Sequence, residues 1–237
     1  SHINKNYPKY LSLKKKFLVI FRGINVDYFD PSTTTESEED KLFKKWELTV
    51  GQKVILLPGR LTSWKGQETF IESLSIVNKE LGYEKVCGII LGSEQGRDVY
   101  KKKLIRLVDQ FRLVNQVKFI ENCRNMPLAY KISDIVVSAS IEPEAFGRVA
   151  VETQSMEKII IASNIGGSNE TIINEKTGFL FESGDAHDLS KKIIRLLTMD
   201  ESSIELIGKE GRKNIKKKFN VEKMCFSTYS EYKRLLN

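Results

Sequence analysis

Three carboxylates lie within eleven residues of this chain, in the stretch EPEAFGRVAVE that runs from Glu142 to Glu152. A strand pattern precedes the stretch and a helical pattern begins near Phe146, which predicts Glu144 in the connecting loop and Glu152 about two turns inside the helix. A carboxylate accepts two hydrogen bonds side by side, and this geometry matches the vicinal diol of a sugar. Glu144 is therefore a candidate for binding hydroxyls of a hexose, and Glu152 for those of a ribose.

The start of the same helix adds backbone donors. The N–H groups of Ala145, Phe146 and Gly147 are expected at the helix start, where no acceptor exists within the helix. Such donors bind sugar hydroxyls and phosphate oxygens. A simpler interpretation stays open, in which Glu144 only interacts with the helix dipole and Glu152 is an exposed helix residue.

A second candidate loop, PGRLTSWKGQE, follows the apolar run 53–57. Gly59 permits a tight turn, and Arg60 and Lys65 place two cations at the entry to a helix whose N-terminus is itself positive. This combination suits a diphosphate, because Arg offers a planar fork of donors and Lys a point charge. The order of a P-loop is missing, and two solvated surface cations are the alternative interpretation.

Two further loops follow predicted strands. SNIGGSNE, residues 163–170, contains Gly166 and Gly167, which permit close backbone approach, although an ordinary tight turn explains the stretch nearly as well. IENCRN, residues 120–125, is a polar loop whose candidate residues beside a nucleobase are Glu121, Cys123 and Arg124.

These loops need a scaffold that brings them together, and the apolar pattern predicts one. Apolar runs with strand character alternate with longer segments of helical period. The predicted strands are 17–21, 53–57, 86–91, 117–120, 134–138, 158–162 and 178–181, and the predicted helices include 66–81, 97–113, 187–199, 201–218 and 221–236. The pattern indicates an α/β fold with an open, doubly wound parallel sheet of the Rossmann type, in which ligands bind at the carboxyl ends of the strands.

Residues 22–52 interrupt the alternation with turn formers and an acidic cluster. We therefore expect residues 1–22 to be the end of a truncated N-terminal domain and 23–52 to be the interdomain linker and domain entry. The Rossmann-like domain is expected at 53–218. Residues 219–237 are expected to form a C-terminal helix that packs back toward the missing N-terminal domain.

The net charge of +7 is concentrated at the two ends, because residues 1–22 and 209–237 together carry 15 Lys and Arg but 3 acidic residues. A nucleic-acid-binding domain would place its positive charge on the folded core, so nucleic acid is not expected as a partner. Solvated helix faces explain the basic ends, and attraction to an anionic membrane surface is the second interpretation.

The remaining composition excludes several classes of site. Three widely spaced cysteines without a C-x-x-C pair predict reduced thiols in a cytoplasmic protein. Two isolated histidines predict no zinc site, and no D-x-D motif is present that would bind a metal ion beside a diphosphate. No apolar run approaches the ~20 residues that a membrane span requires.

The order of the motifs resembles the C-terminal half of family 4 retaining glycosyltransferases of the GT-B fold. The likeness covers roughly residues 19–237. VIFRGINVDYFDP resembles the interdomain linker of that family, PGRLTSWKG its diphosphate-binding loop, EPEAFGRVAVE its E-x7-E signature, and TGFLFESGDAHDL a stretch that commonly follows. Two positions depart from the family pattern: Arg22 stands where Asn is commoner, and SMEKIII lacks the usual Gly and Pro.

The resemblance implies a role for each candidate. Arg60 and Lys65, with Gly59, would bind the donor diphosphate; Glu144 and the backbone of Phe146 and Gly147 would bind the donor hexose; Glu152 would bind the ribose. Glu144, Arg60 and Lys65 would be the catalytic groups, because they surround the bond that breaks.

The implied reaction is transfer of a hexose, with retention and without a metal or other cofactor, from a nucleotide diphosphate sugar. The acceptor would be a glycan or a lipid-linked molecule of cell-envelope polysaccharide biosynthesis. The enzyme is expected in the cytoplasm, with contact to the inner membrane face as an additional expectation. This chain alone is expected to be inactive, because the acceptor site belongs to the other domain. Two alternatives stay open: a nucleotide-sugar epimerase of the same fold, and a binding module that uses the basic ends for membrane or nucleic acid.

Overall fold

The computed structural model describes residues 18–82, 85–96 and 98–236. The strands are β1 (Lys53–Pro58), β2 (Val86–Leu91), β3 (Val117–Ile120), β4 (Ile135–Ser138), β5 (Ile159–Ser163) and β6 (Phe179–Phe181). The helices are α1 (Glu36–Lys45), α2 (Gln67–Leu81), α3 (Asp98–Gln110), α4 (Met126–Lys131), α5 (Arg148–Ser155), α6 (Ser168–Thr171), α7 (Ala186–Leu197), α8 (Glu201–Lys218) and α9 (Val221–Leu236). Short 3-10 helices lie at Pro31–Thr33 and Ser63–Lys65.

The strands form one parallel sheet in the order β3-β2-β1-β4-β5-β6. This order confirms the predicted doubly wound, Rossmann-like fold. The order reverses between β1 and β4, and in open sheets of this kind ligands bind in the crevice at the carboxyl ends of the strands, at the point of reversal. The loop after β1 contains Arg60 and Lys65, and the loop after β4 contains Glu144.

Alternate strand residues face two separate cores, one on each side of the sheet. Val54 and Leu56 of β1 belong to a core that is completed by α1, α4, α5 and α8. Ile55 and Leu57 belong to the other core, which α2, α3 and α7 complete. Both faces of the sheet are therefore covered, which explains why the strands are mostly apolar. This packing fixes the strand ends that position the loops.

The segment 23–52, predicted to be a linker, is folded onto the first core and contains a helix that the apolar pattern does not predict. Thr35 and Glu38 form a capping box at the start of α1, and each side chain accepts a hydrogen bond from the other residue's backbone N–H. Phe29 and Trp46, on either side of this helix, are 6% and 3% exposed. The segment thus adds apolar surface to the domain that follows it.

The predicted strand at 17–21 is wrong for the residues that the structure describes, which begin at 18. Residues 18–21 belong to no strand, and Leu18 and Val19 are exposed. An apolar run becomes a strand only where a neighbouring strand supplies hydrogen-bond partners. The nearest backbone pairing is the isolated bridge between Ile24 and Asn220, which ties the linker to the junction of α8 and α9.

The last helix differs from the others, because none of the described residues of α9 is buried. Its predicted bounds, 221–236, are confirmed. Several large apolar side chains of this helix are exposed: Phe226, Tyr229, Tyr232, Leu235 and Leu236. The helix therefore carries an apolar surface that no described part of the chain covers.

Candidate functional site

The loops after β1 and β4 are in direct backbone contact at the crevice. Gly66, with φ of 71°, lies so close to Ala139 that an added Cβ would overlap the Ala139 carbonyl oxygen. The Ile141 N–H donates to the Trp64 carbonyl oxygen at 2.8 Å. Only glycine combines the left-handed backbone with this close approach. The loop predicted to bind a diphosphate is thus fixed against the loop predicted to bind a sugar.

Lys65 and Glu144 form an ion pair between these two loops. The Lys65 Nζ lies 2.8 Å from Glu144 Oε1, and the two side chains are 14% and 18% exposed. The Ser140 hydroxyl donates to the same carboxylate oxygen, and the Lys65 ammonium lies 4.5 Å from the centre of the Trp64 ring. Partial burial strengthens the pair relative to one in water, and the pair fixes the orientation of both charged groups.

Gly166 and Gly167, in the loop after β5, pack against the loop that contains Glu144. An added Cβ on Gly166 would come within 2.6 Å of the Glu144 carbonyl oxygen, and one on Gly167 within 2.6 Å of the Phe146 carbonyl carbon. The Gly167 N–H donates to the Glu144 carbonyl oxygen at 2.7 Å. Gly166 and Gly167 therefore position the sugar-binding candidates by close packing.

Helix α5 begins at Arg148, two residues after the start near Phe146 that the sequence pattern predicts. Gly147 is its N-cap residue, with φ of 74°. The N–H groups of Phe146 and Gly147 have no acceptor within the described part of the chain. They remain donors for a ligand at the crevice, as free N–H groups at a helix start commonly do.

A cleft of about 360 Å³ extends from the β1 loop along α5 to the loop after β3. Two glycines and four apolar residues line it: Gly59, Gly92, Pro58, Leu91, Met126 and Val149. The polar and charged residues that line it are Arg60, Glu121, Asn122, Cys123, Tyr130, Arg148 and Glu152. The predicted diphosphate residues Gly59 and Arg60, the predicted ribose residue and two predicted base residues thus border one space. Arg124 follows in the same loop but is not among the lining residues.

Lys65 and Glu144 do not line this cleft but lie beside one end of it. The stem of Lys65 passes Gly59, since an added Cβ there would lie 3.5 Å from the Lys65 Cδ. Within the described residues, the exposed guanidinium of Arg60 forms no ion pair, whereas Lys65 is paired. The two predicted diphosphate cations therefore differ: Arg60 is free to bind an anion, and Lys65 would share its charge with Glu144.

Glu152 lies at the floor of the cleft and is 5% exposed, so it is not the exposed helix residue of the simpler interpretation. The Tyr130 hydroxyl donates to its Oε2 at 2.8 Å. Arg148 donates to its Oε1 from Nε at 3.1 Å and from Nη2 at 2.7 Å. These three hydrogen bonds satisfy the buried carboxylate and fix its orientation.

The loop after β3 is fixed by charge and backbone contacts. Lys101 of α3 donates to Glu121 at 3.1 Å, and the Cys123 thiol donates to the Asn125 carbonyl oxygen at 3.1 Å. Burial raises the pKa of the Cys123 thiol. Cys123 therefore remains a neutral, largely apolar group in the wall of the cleft.

Among the polar residues that line the cleft, Arg148, Tyr130 and Asn122 were not named as candidates from the sequence. Arg148 is four positions before Glu152 on one helix face, and this spacing alone predicts an ion pair. Tyr130 lies on α4, a short helix that the apolar pattern does not distinguish from a loop. Asn122 contributes to the wall beside Cys123, and its neighbours gave no signal beyond polarity.

Metal-binding groups and membrane-spanning helices are both absent from the residues that the structure describes. No group of three or more His, Cys, Asp and Glu side chains there could bind a metal ion. None of the helices in those residues is both long and apolar enough to cross a membrane.

Residues 38–214 match the model of the family glycosyl transferases group 1. The chain is 28% identical over 200 residues to the capsular polysaccharide biosynthesis glycosyltransferase CapM of Staphylococcus aureus. The aligned residues cover 84% of this chain and 51% of that protein. The chain spans about half the length of this curated relative.

Solved structures of similar fold include a glycosyltransferase and a protein in complex with a nucleotide sugar. A glycosyltransferase from Rickettsia africae superposes with a TM-score of 0.90 at 33% identity, over 98% of this chain and 62% of that chain. The Anabaena protein Alr3699/HepE, solved in complex with UDP-glucose, superposes with a TM-score of 0.83 at 26% identity, over 92% of this chain and 57% of that one.

Proposed function

This chain belongs to the glycosyl transferases group 1 family, and we propose that it is the donor-binding part of a longer, retaining hexosyltransferase. Its donor would be a nucleotide diphosphate sugar. The observation that carries the proposal is the placement of an unpaired Arg60 and a buried Glu152 in one cleft, with the Lys65–Glu144 pair at its end. The complex of the Anabaena relative with UDP-glucose supports a donor of this class.

The cleft has the dimensions and chemistry of a nucleotide site. In this assignment the base lies beside Glu121 and Cys123, the ribose diol donates to Glu152, and the diphosphate lies over Gly59 beside Arg60. The hexose then extends toward Glu144 and the free N–H groups of Phe146 and Gly147. The order of these proposed subsites is the order of the chemical groups in the donor.

The chemistry of transfer needs positive charge where the diphosphate leaves. When the bond between the anomeric carbon and the phosphate oxygen breaks, its electron pair stays on the nucleoside diphosphate. Arg60 and Lys65 would stabilise that charge, and the positive helix N-terminus at Arg148 would add to it. In a retaining reaction the acceptor oxygen attacks the face from which the diphosphate leaves. Glu144 would orient the hexose and need not act as a nucleophile.

We propose that this reaction requires no metal ion. Two side-chain cations and a helix N-terminus supply the charge that a divalent ion would otherwise provide. The absence of a D-x-D motif from the sequence supports this assignment.

The acceptor site is proposed to belong to the rest of the enzyme, because this chain spans 51% to 62% of the relatives described above. The exposed apolar side chains of α9, among them Phe226, Tyr229 and Tyr232, are proposed to pack against that remainder. The likeness to CapM supports a glycan or lipid-linked acceptor in cell-envelope polysaccharide biosynthesis. Neither an epimerase nor a membrane or nucleic-acid module is favoured by these relatives.

A thermal-shift panel of UDP-, GDP- and ADP-sugars tests donor binding. A ligand at 100 times its Kd adds ~2.7 kcal/mol to the free energy of unfolding, which corresponds to a rise in Tm of roughly 5–10 °C for a chain of this size. Binding of none of the three nucleotide classes would contradict the proposal.

A transfer assay then compares this chain with the full-length enzyme. The chain alone should bind the donor but transfer no sugar, because positioning the acceptor contributes about 7–11 kcal/mol of barrier reduction. Robust transfer by the chain alone would overturn the assignment of the acceptor site to the remainder. Analysis of the anomeric configuration of the product tests retention, and an epimerised donor without transfer would favour the epimerase.

A further inference from the structure

Tyr130 and Arg148 contact different oxygens of the Glu152 carboxylate, and the two residues differ in their exposure to solvent. Tyr130 comes from the interior and has 0% exposure. Arg148 comes from the solvent side, and its side chain is 72% exposed. We propose that Tyr130 orients the Glu152 carboxylate for recognition of the ribose, and that Arg148 occupies the same carboxylate until the ribose displaces it. The inference rests on the proposed donor function and names the residues that determine specificity for ribose.

Tyr130 is suited to a permanent positioning role. Its hydroxyl lies 2.8 Å from Glu152 Oε2, and its ring packs against Phe29 at a centroid distance of 6.2 Å. Burial, reinforced by the neighbouring Glu152 carboxylate, raises the pKa of Tyr130 well above its usual value. The phenol therefore stays protonated and donates at every pH at which the enzyme would work.

Arg148 is suited to an exchangeable role. Both of its donors, Nε and Nη2, converge on Glu152 Oε1. The guanidinium is otherwise open to solvent and so loses little when it leaves, because water replaces its hydrogen bonds and screens the separated charges. Its position at the edge of the cleft keeps it close to the nucleotide after displacement.

The Glu152 carboxylate has too few acceptor positions to bind Tyr130, Arg148 and a ribose diol at once. A carboxylate offers about four acceptor positions, of which Tyr130 takes one on Oε2 and Arg148 takes two on Oε1. A vicinal diol that binds side by side needs one position on each oxygen. At least one contact from Arg148 must therefore be released, whereas the contact from Tyr130 is compatible with the bound diol. The bond from Tyr130 also keeps the carboxylate plane from rotating while Arg148 leaves.

The experiment measures selectivity for ribose by calorimetry on this chain. UDP, GDP and ADP serve as probes, and whichever binds the unmodified chain is compared with its 2′-deoxy counterpart. We expect the unmodified chain to prefer the ribonucleotide about tenfold or more, the effect of one charge-assisted hydrogen bond. Tyr130→Phe should lower this preference to about twofold, since an unoriented carboxylate gains little from the second hydroxyl. Arg148→Ala should preserve or raise the preference, because the competing donor is gone.

Tyr100→Phe is the matched control. Tyr100 donates to Gln67 at 3.2 Å, and Gln67 in turn donates to the Arg60 carbonyl oxygen at 2.9 Å, so this change removes a similar hydroxyl beside the diphosphate loop. It should alter the affinity for both nucleotides alike and leave their ratio unchanged. A role of Tyr130 in packing alone would likewise leave the ratio unchanged in Tyr130→Phe.

The outcomes separate the inference from the proposed function. Failure of all three probes to bind the unmodified chain contradicts the proposed function. Binding with an undiminished ribose preference in Tyr130→Phe overturns the positioning role, and loss of the preference in Arg148→Ala overturns the exchange. Should Tyr130→Phe fail to fold, the NMR spectrum of the unmodified chain decides. The Arg148 Nε–H signal should shift on binding the ribonucleotide and shift less with the 2′-deoxy form; equal shifts would overturn the inference.

Discussion

The Lys65 ammonium lies 2.8 Å from the Glu144 carboxylate, and this contact joins the loop after β1 to the loop after β4 across the point where the strand order reverses. Lys65 belongs to the loop after β1 and Glu144 to the loop after β4, so each loop contributes one member of the pair. The fold converts the two into a partly buried pair whose geometry is fixed before a ligand arrives. A donor that binds there meets an oriented cation and an oriented carboxylate, which is the condition for electrostatic preorganisation.

The two glutamates of the E-x7-E stretch should have separable effects. Glu152→Ala should weaken binding of the nucleoside diphosphate about tenfold or more, because it removes the acceptor of the ribose hydroxyls. Glu144→Ala should not weaken binding of free nucleoside diphosphate, because it releases Lys65 from its ion pair, and should weaken only the intact sugar donor. Calorimetry with both ligands on both variants measures this division. Exchanged phenotypes would contradict the assignment of the hexose to Glu144 and of the ribose to Glu152.

Arg60 should distinguish the diphosphate from the monophosphate. The guanidinium has no ion-pair partner among the described residues, so its charge is available to the second phosphate. The unmodified chain should bind the nucleoside diphosphate at least tenfold more tightly than the monophosphate, and Arg60→Ala should erase most of that difference. Arg106→Ala, an exposed arginine on α3, is the control and should preserve the difference. Equal affinities of the unmodified chain for both nucleotides would contradict the role of Arg60.

Chelation should leave donor binding unchanged. Arg60, Lys65 and the start of α5 are proposed to supply the positive charge beside the diphosphate, so an excess of EDTA should alter the Kd of the nucleotide sugar by less than about twofold. Titrations with EDTA, with Mg²⁺ and with Mn²⁺ measure this directly. A requirement for either metal ion would show that the side-chain cations are insufficient.

Much of the fold follows from local pattern in the sequence. The strands from β1 to β6 are mostly apolar, because both faces of the sheet are covered, and the long helices carry one apolar stripe each. Helix α1 is not predicted, because the acidic and turn-forming residues around it indicate a linker. The spacing of Thr35 and Glu38 is nevertheless that of a capping box at a helix start. The strand at 17–21 was predicted from composition alone, whereas a strand also depends on a partner elsewhere in the chain.

The site was predictable only as far as its residues lie in contiguous motifs. Arg60, Lys65, Glu144 and Glu152 could be named because each stands in a short stretch that follows a strand. The hydrogen bond from Tyr130 to Glu152 joins separate elements, α4 and α5, and no local spacing signals it. The ion pair of Lys65 with Glu144 likewise depends on the order of strands in the sheet, which periodicity does not determine.

Arg212 should contribute strongly to stability because it ties the linker to the domain. It is 6% exposed, and its Nη1 donates to the Phe29 carbonyl oxygen at 2.9 Å and to the Ser155 carbonyl oxygen. Its Nη2 forms an ion pair with Asp30. Arg212→Met should lower the free energy of unfolding by about 3 kcal/mol, the lower end of the effect of breaking a buried pair, since Asp30 reaches solvent. Urea unfolding measures this against Lys213→Met, an exposed neighbour; a loss below about 1 kcal/mol would contradict the role.

The amino ends of the strands offer the clearest pH dependence. Lys158 lies just before β5 in a crevice of about 730 Å³ that Lys53, Lys131 and Asp134 also line. It forms no ion pair with any described residue, whereas Asp134 is paired with Lys53 at 2.9 Å. Burial lowers the pKa of Lys158, and Lys131 and Lys53 lower it further, while Asp134 and Glu39 oppose them.

The sign of the effect follows from this lowered pKa. Between the pKa in the folded chain and the unfolded value of about 10.4, the unfolded chain binds more protons at this site, so the free energy of unfolding rises with pH. Below the folded pKa both states are protonated and the folded chain bears the full cost of the buried charge.

Lys158→Met removes that cost, so the variant should be more stable than the unmodified chain at neutral pH. Its advantage should shrink as the pH is raised toward the unfolded pKa. Thermal melts across this range, with the exposed Lys191→Met as control, measure the difference; an advantage that does not change with pH would show that Lys158 is destabilised by packing rather than by its charge.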